Sequence, residues 1–495
     1  MGLSIDKKTS TDVDYDVIIV GAGISGINCA YRLQTETPDA KIAVFEARGD
    51  VGGTWDLFKY PGVRSDSDLF TYGFAWEPWP FSTPIAEGHL IVSYMKDCIQ
   101  KHDLAKYLHF HHKVRSVDWS SQTQSWTVEM EHEGGRVKWL TSRFVVLGSG
   151  YYDYHNPLKS DVPGLENFRG KVIHPQFWPE DYDYTDQNIV VIGSGATAIT
   201  LIPNLAKKAG HVTMLQRSPS YVVSIPNVGR PKSWAEILLP RRVAAVWQRW
   251  FHMTFQWCMV LMCKYFPNYA TQAFLKAVIA ALPEGFSHDP HFMPSYVPWQ
   301  QRPKCEVVTA KIRTVTERGI ELEGSKGSKG SSSSGHTTTL DDVDAIVTAT
   351  GLRMDFMGGI PVTVDGGEPI VWSTRRCWHS AMLSDVPNLF FMIGYVDASW
   401  TPGADATARI LTRVYRHMQQ QGVTSATPRV GAADARQMQD RRFWNLTSNY
   451  RESADSRLPR YGNVAPWKPR NAPPRDLVYA KWGDVKKGLH FGVAS

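Results

Sequence analysis

The sequence predicts an α/β protein with two Rossmann-like dinucleotide-binding domains, the second inserted in the first, and a helical insertion. Three observations predict it. Two glycine turns, GAGISG at 21–26 and GSGATA at 193–198, each follow a short apolar run and open a helical pattern. A second apolar run follows each of them, KIAVFEA and HVTMLQR, completing two βαβ units. Two more runs, RFVVLGSGYYD at 143–153 and DDVDAIVTATGL at 341–352, bracket the second unit and read as the crossings between domains.

This places the first part of one domain at 1–150 and its second part, with a C-terminal segment, at 353–495. The inserted domain occupies 151–231 and 285–352, and a tryptophan-rich helical insertion occupies 232–284. The most apolar window, MTFQWCMVLMC at 253–263, is too short to span a bilayer. A buried helix is its first reading, and peripheral contact with a membrane its second. GSKGSKGSSSSGHTTT, 324–339, reads as a flexible hairpin loop between two strands.

Bulk properties exclude several classes. The 495 residues carry a formal charge of only +6 with no basic block, which argues against nucleic acid as a partner. Six scattered cysteines form no C-x-x-C pair, so neither a dithiol redox centre nor a metal site is expected, and a reducing cytoplasm fits. The N-terminus MGLSIDKKTS has neither a secretory apolar core nor the residue that myristoylation wants.

In the first turn, Gly21 permits the bend, Gly23 lets a pyrophosphate approach the backbone, and Gly26 lets helix and strand pack closely. The helix N-terminus offers free N–H groups to phosphate. Glu46 ends the next strand, twenty residues after Gly26, where a carboxylate would hold a ribose. The second turn has Gly193 and Gly195, then Thr197 and Ala198, with alanine in the third glycine place. Gln216 stands where Glu46 stands in the first unit, followed by Arg217 and Ser218. Neutral and cationic donors there favour a 2′-phosphate, hence NADPH over NADH.

GGTWDLFKYPGVRSD at 52–66 resembles the flavin-binding stretch of flavin-dependent monooxygenases. Phe168, Gly170, His174, Trp178 and Pro179 fit F-x-G-x-x-x-H-x-x-x-W-P without a gap, which is similar to the signature of type I Baeyer–Villiger flavin monooxygenases. VVIGSGATAITLIP, PWQQR, VTATGL, GYVDASWT and RLPRYGNVAPW resemble the mycobacterial ethionamide-activating subgroup. The resemblance implies FAD in the first domain, with contacts from Ser25, Thr54, Trp55, Asp66 and Val114 as well as the glycines and Glu46. It implies NADPH in the second domain, and a C4a-peroxyflavin formed with O2 that turns ketones into esters or thioethers into sulfoxides. It further implies Arg302 as the cation over the flavin, held by Asp66, and a small apolar ketone or sulfide as substrate. His174 is expected to hold an interdomain linker and Trp178 to pack on the NADP domain. Only Pro303 separates Arg302 from Lys304, a shorter connection than the family's. Two alternatives stay open: an amine N-oxygenating monooxygenase or NADPH oxidase, and a cofactor-binding protein with little productive chemistry.

Overall fold

A computed structural model of the chain describes residues 13–132, 134–159, 161–219, 227, 234–280, 282, 306–323, 338–444 and 456–493. Strand β1 (Tyr15–Val20), helix α1 (Ile24–Glu36) and strand β2 (Ile42–Phe45) form the first βαβ unit, with Val17 paired in parallel to Ile42. Both strands are apolar runs, as strands covered on both faces must be. Helices α2 (Thr54–Leu57), α3 (Leu69–Tyr72) and α4 (Gly88–Lys101) follow. Strands β3 (Leu108–His109), β4 (His112–Ser120), β5 (Ser125–His132) and β6 (Arg136–Leu147) complete the sheet edge. The last three form an antiparallel meander, and β6 returns to pair in parallel with β1, Phe144 beside Val17.

The chain then builds a second sheet. Its elements are β7 (Lys171–Ile173), β8 (Asn188–Ile192), α5 (Ala196–Leu205) and β9 (His211–Gln216), then α6 (Trp234–Leu238), α7 (Arg241–Tyr265) and α8 (Pro267–Ile279). After them come β10 (Glu306–Thr309), β11 (Lys311–Val315), β12 (Ile320–Glu323), β13 (Thr338–Leu340) and β14 (Ala345–Thr348). The second sheet is parallel, in the order β10-β9-β8-β14-β7, and β11-β12-β13 form a small antiparallel sheet beside it. Most of the hairpin loop expected between β12 and β13, residues 324–337, lies outside the described residues, but the two strands do pair antiparallel.

Beyond β14 the chain re-enters the first sheet. Strand β15 (Val362–Val364) pairs with β4, and β16 (Cys377–Trp378), β17 (Met382–Leu383) and β18 (Leu389–Phe391) lead back to β6. Helices α9 (Trp400–Gln421), α10 (Ala432–Gln437) and α11 (Pro473–Trp482) follow. Helix α9 lies on α1, clamped by a buried ion pair: Arg32 Nε donates to Asp405 Oδ1 at 2.6 Å, and Arg409 Nε to Oδ2 at 3.0 Å.

The two crossings run side by side. Asp153 N donates to Arg353 O and Asp355 N to Tyr151 O, each at 2.9 Å, and the Arg353 guanidinium lies 3.3 Å from the Asp153 carboxylate.

One expectation is corrected. The window 253–263 is helical, within α7, but not a buried helix: Met253 is its only buried residue and Phe255 is 56% exposed. Helix α7 packs on α3, α8 and α11 rather than inside a core, and leaves many of its apolar residues uncovered. Arg249 is buried there and donates to the carbonyls of Phe70 and Gly73, at 3.2 and 2.7 Å.

Candidate functional site: two glycine cradles facing one interdomain crease

At the first turn Gly21 has φ +100°, a region closed to side chains, and its N–H donates to Phe45 O. A Cβ on Gly26 would run into the Gly21 carbonyl oxygen, which is why this place needs glycine. Gly23 caps α1 with no side chain bonded to the helix N–H groups, and a Cβ there would meet only Gly53 within 4 Å. Glu46 is buried. Its Oε2 accepts from Ala22 N at 2.8 Å and its Oε1 from Arg48 N at 2.9 Å. The carboxylate therefore fixes the turn itself, and its remaining lone pairs are those left for a ribose.

The flavin-type stretch wraps this turn. Arg48 Nη2 meets Asp56 at 2.5 Å and holds α2 with the turn before it. Thr54 Oγ1 lies 3.1 Å from Tyr154 OH, tying α2 to the first crossing, and Trp55 Nε1 donates to Tyr72 OH at 2.6 Å. Ser25 Oγ accepts from Trp400 Nε1 at 2.8 Å, so the N-termini of α1 and α9 meet at the cradle, with Tyr151 stacked on Trp400. Ser149, beside Gly21, and Ser399, which caps α9, each have a buried hydroxyl with no partner among the described residues. Val114 is buried in β4 next to a bulge that interrupts its pairing with β5.

The second cradle is more open. Gly193 has φ +137°, and a Cβ on Gly195 would meet nothing within 4 Å. Gly195 caps α5 without a side-chain bond, and Ala198, in the third glycine place, is fully buried. Ser194 Oγ donates to Ser218 O at 2.9 Å, which brings the end of β9 over the turn, with Arg217 and Ser218 exposed beside it. Gln216 departs from expectation. It is buried, and its Nε2 donates to Thr309 Oγ1 of β10 at 3.0 Å, so it braces the sheet rather than presenting a donor to phosphate.

The cradles share one crease. Tyr60, in the flavin-type loop, packs against the second domain's core and meets Thr197; burial pushes its hydroxyl up to about 12 against that bond. Asp66 stands on the same loop. Although 42% of its side chain is reached by solvent, it sits in a crowded crease where burial raises its carboxyl, opposed by Arg64 at 3.4 Å. Arg302, expected as its cation, lies outside the described residues, and Arg64 is the cation that Asp66 meets among those described.

The signature stretch sits behind the crossings. Phe168 is buried in the second domain, and a Cβ on Gly170 would strike both its ring and the Asp344 carbonyl. Trp178 is buried against Tyr182 and Tyr184. His174 Nδ1 accepts from Gln176 N at 3.3 Å, and burial pushes the imidazole down, opposed by the Gly351 backbone. Gln176 Nε2 donates to Asp153 O at 2.6 Å. The stretch thus grips the first crossing and lies against the second.

Ser149, Ser399, Trp400, Tyr60, Asp153 and Gln176 were not singled out as site residues from sequence. Ser149 did stand in a small-residue turn at a strand end, the one signal that marked it.

A family model for flavin-binding monooxygenase-like proteins matches residues 14–272. The FAD-containing monooxygenase EthA of Mycolicibacterium smegmatis is 39% identical, over 96% of this chain and 97% of that one. The chain belongs to the flavin-binding monooxygenase-like family. This monooxygenase-like chain is also 37% identical to the probable FAD-binding monooxygenase AlmA of Acinetobacter baylyi, over 96% of each chain. It is 37% identical to the putative FAD-containing monooxygenase MymA of Mycobacterium tuberculosis, over 97% and 98%. Its fold matches a steroid monooxygenase bound to NADP, with TM-score 0.69 and 21% identity over 97% and 99% of the two chains. It also matches an open cyclohexanone monooxygenase, with TM-score 0.69 and 20% identity over 96% and 99%. The two-domain α/β class and the monooxygenase resemblance read from the sequence are both met. No described helix is long and apolar enough to cross a membrane.

Proposed function

We propose that the chain is an FAD- and NADPH-dependent monooxygenase that inserts oxygen from O2 beside the carbonyl of small apolar ketones or into thioethers. The observation that carries this reading is the pair of uncapped glycine cradles opening on one crease, joined where Tyr60 meets Thr197. The residues present fit both dinucleotides: open space at Gly23 and Gly195, free helix N-termini, and orphaned hydroxyls at Ser149 and Ser399. FAD, when bound, supplies the redox chemistry that takes a hydride from NADPH and passes electrons to O2.

The chain's own residues do the rest. Gly21, Gly23, Ser25 and Gly26 receive the FAD pyrophosphate, Glu46 the ribose, and Thr54, Trp55 and Val114 line the remainder. Gly193, Gly195, Thr197 and Ala198 form the NADP turn, with Arg217 and Ser218 at the 2′-phosphate. Arg302 supplies a fixed cation at the reacting end and Asp66 positions it. An arginine suits that task because it stays charged at any working pH. The domain bounds read from the sequence belong to this proposal, supported by the pairing of β7 to β10 with β14 in one sheet. So does a cytoplasmic location, which suits the free thiols of Cys29, Cys98 and Cys377.

The test is oxygenated product per NADPH consumed, with a phenyl ketone and an aryl methyl sulfide. Wild type should form product from at least one. Arg302→Ala should still bleach the flavin with NADPH while product vanishes and hydrogen peroxide accumulates. Equal product from both proteins would remove Arg302 from the mechanism. Peroxide alone from wild type would make the chain an NADPH oxidase.

A further inference from the structure

Helix α7 leaves much of its apolar surface uncovered. A helix on a globular surface normally turns apolar residues inward and polar ones to water. Here Val243, Val246, Trp250, Phe251 and Phe255 recur at helical spacing and are exposed, while the buried residues are Ala244, Arg249 and Met253. The inward face is well used: Arg249 holds two carbonyls, and the His252 ring lies 5.0 Å from the Phe70 ring. The outward face carries an aromatic ladder. Trp247 stacks on Phe251 at 5.3 Å, Phe251 on Phe255 at 6.3 Å, and Trp234 of α6 meets Trp247 at 5.5 Å. Around it Leu238 is 73% exposed, and Ile237, Tyr265, Phe266 and Tyr269 about as much. Contiguous apolar surface of this kind marks an interaction site.

The charges around the ladder decide the occupant. From 237 to 283 the sequence contains no Asp or Glu, with Glu236 of α6 just before the run and Asp397 beside Lys264, while Arg241, Arg242, Lys264 and Lys276 are all exposed there. The first two stand at one end of α7 and Lys264 at the other, roughly 35 Å apart at 1.5 Å per residue. A long aromatic face with cations at its ends and no acid within α7 or α8 is the composition of a helix lying in an anionic membrane interface. A second copy of this chain would set these cations against one another.

We propose that the α6–α8 face docks the protein peripherally on the surface of an anionic lipid bilayer. The ladder enters the headgroup–acyl boundary, and the four cations meet lipid phosphates. This goes beyond the proposed oxygenation and does not depend on it.

The test is flotation of the FAD-loaded full chain with vesicles of phosphatidylglycerol and phosphatidylcholine mixed, and of phosphatidylcholine alone. The protein should float with the mixed vesicles and far less with the neutral ones, and rising salt should release it. Arg241→Glu with Arg242→Glu should weaken binding by about fivefold or more for each cation removed. Phe251→Ser with Phe255→Ser should weaken it by roughly tenfold or more. Retained flavin absorbance shows that the variants fold. Absence of binding to the mixed vesicles overturns the proposal, and so does binding that neither variant weakens. A concentration-dependent dimer, lost in Phe251→Ser with Phe255→Ser and seen without vesicle binding, would assign the face to a second copy instead.

Discussion

Arg217 stands exposed just past β9, and the Ser194–Ser218 bond holds its neighbour over the open turn at Gly195. One charge-assisted pair from it to a 2′-phosphate is worth about 1.5–3 kcal/mol, so NADPH should be preferred over NADH by roughly tenfold to a hundredfold. Arg217→Ala should erode that preference chiefly through weaker NADPH binding; full discrimination in steady-state kinetics of the variant would disprove the assignment. Much at this scale was legible, because a glycine turn is a local device written in six consecutive residues. Gln216 was not. Its role depends on Thr309, 93 residues away on a strand that the sequence did not show to be its neighbour. Ser399 gave no signal either, and Ser149 only its place in a small-residue turn, since only burial turns a common turn residue into an orphaned hydroxyl.

At the scale of elements, α1 and α9 come from opposite ends of the first domain and are joined through Arg32, Asp405 and Arg409. Burial alone would push the Asp405 carboxyl up, but the two guanidinium groups outweigh it and hold it at about 2. A carboxyl depressed in the folded state stabilises the fold above its unfolded value, about 3.9, and loses that contribution as pH falls toward the folded one. Asp405→Asn should therefore cost about 3 kcal/mol at pH 7, since it takes the buried anion from Arg32 and Arg409 and leaves them only the less buried Glu36. The gap in thermal stability from wild type should narrow below about pH 4. A gap independent of pH would mean that the pair does not titrate as the geometry requires. Strands and helices were mostly legible from apolar periodicity, which also explains the one misjudged element. The window 253–263 reads as buried because burial is the usual fate of such a run, whereas α7 leaves most of its apolar residues exposed or half-buried.

At the scale of the molecule, the two cradles are linked by the chain through the paired crossings at 151–153 and 353–355, and in space by the contact of Tyr60 with Thr197. The insertion of one domain in the other was legible from the order of the apolar runs. The pairing of the crossings was not, because it joins residues some 200 positions apart. The signature stretch gains its meaning here. Its Gln176 reaches the Asp153 carbonyl, and its His174 lies against Gly351, so β7 carries both contacts along with the second sheet. If the stretch transmits domain position, Gln176→Leu should leave each cradle intact, because the side chain touches neither glycine turn. Bound FAD should be retained and NADPH affinity should change by no more than about twofold, while product formed per NADPH falls several-fold. The lost bond is worth only about 0.5–1.5 kcal/mol, enough to shift a balanced two-position equilibrium by roughly twofold to tenfold but not to unfold a domain. Titration of NADPH, peroxide assay and product yield on one preparation separate the outcomes. A fall in both affinity and yield would indicate damage to the second domain. Unchanged yield would leave Gln176 as plain packing between domains.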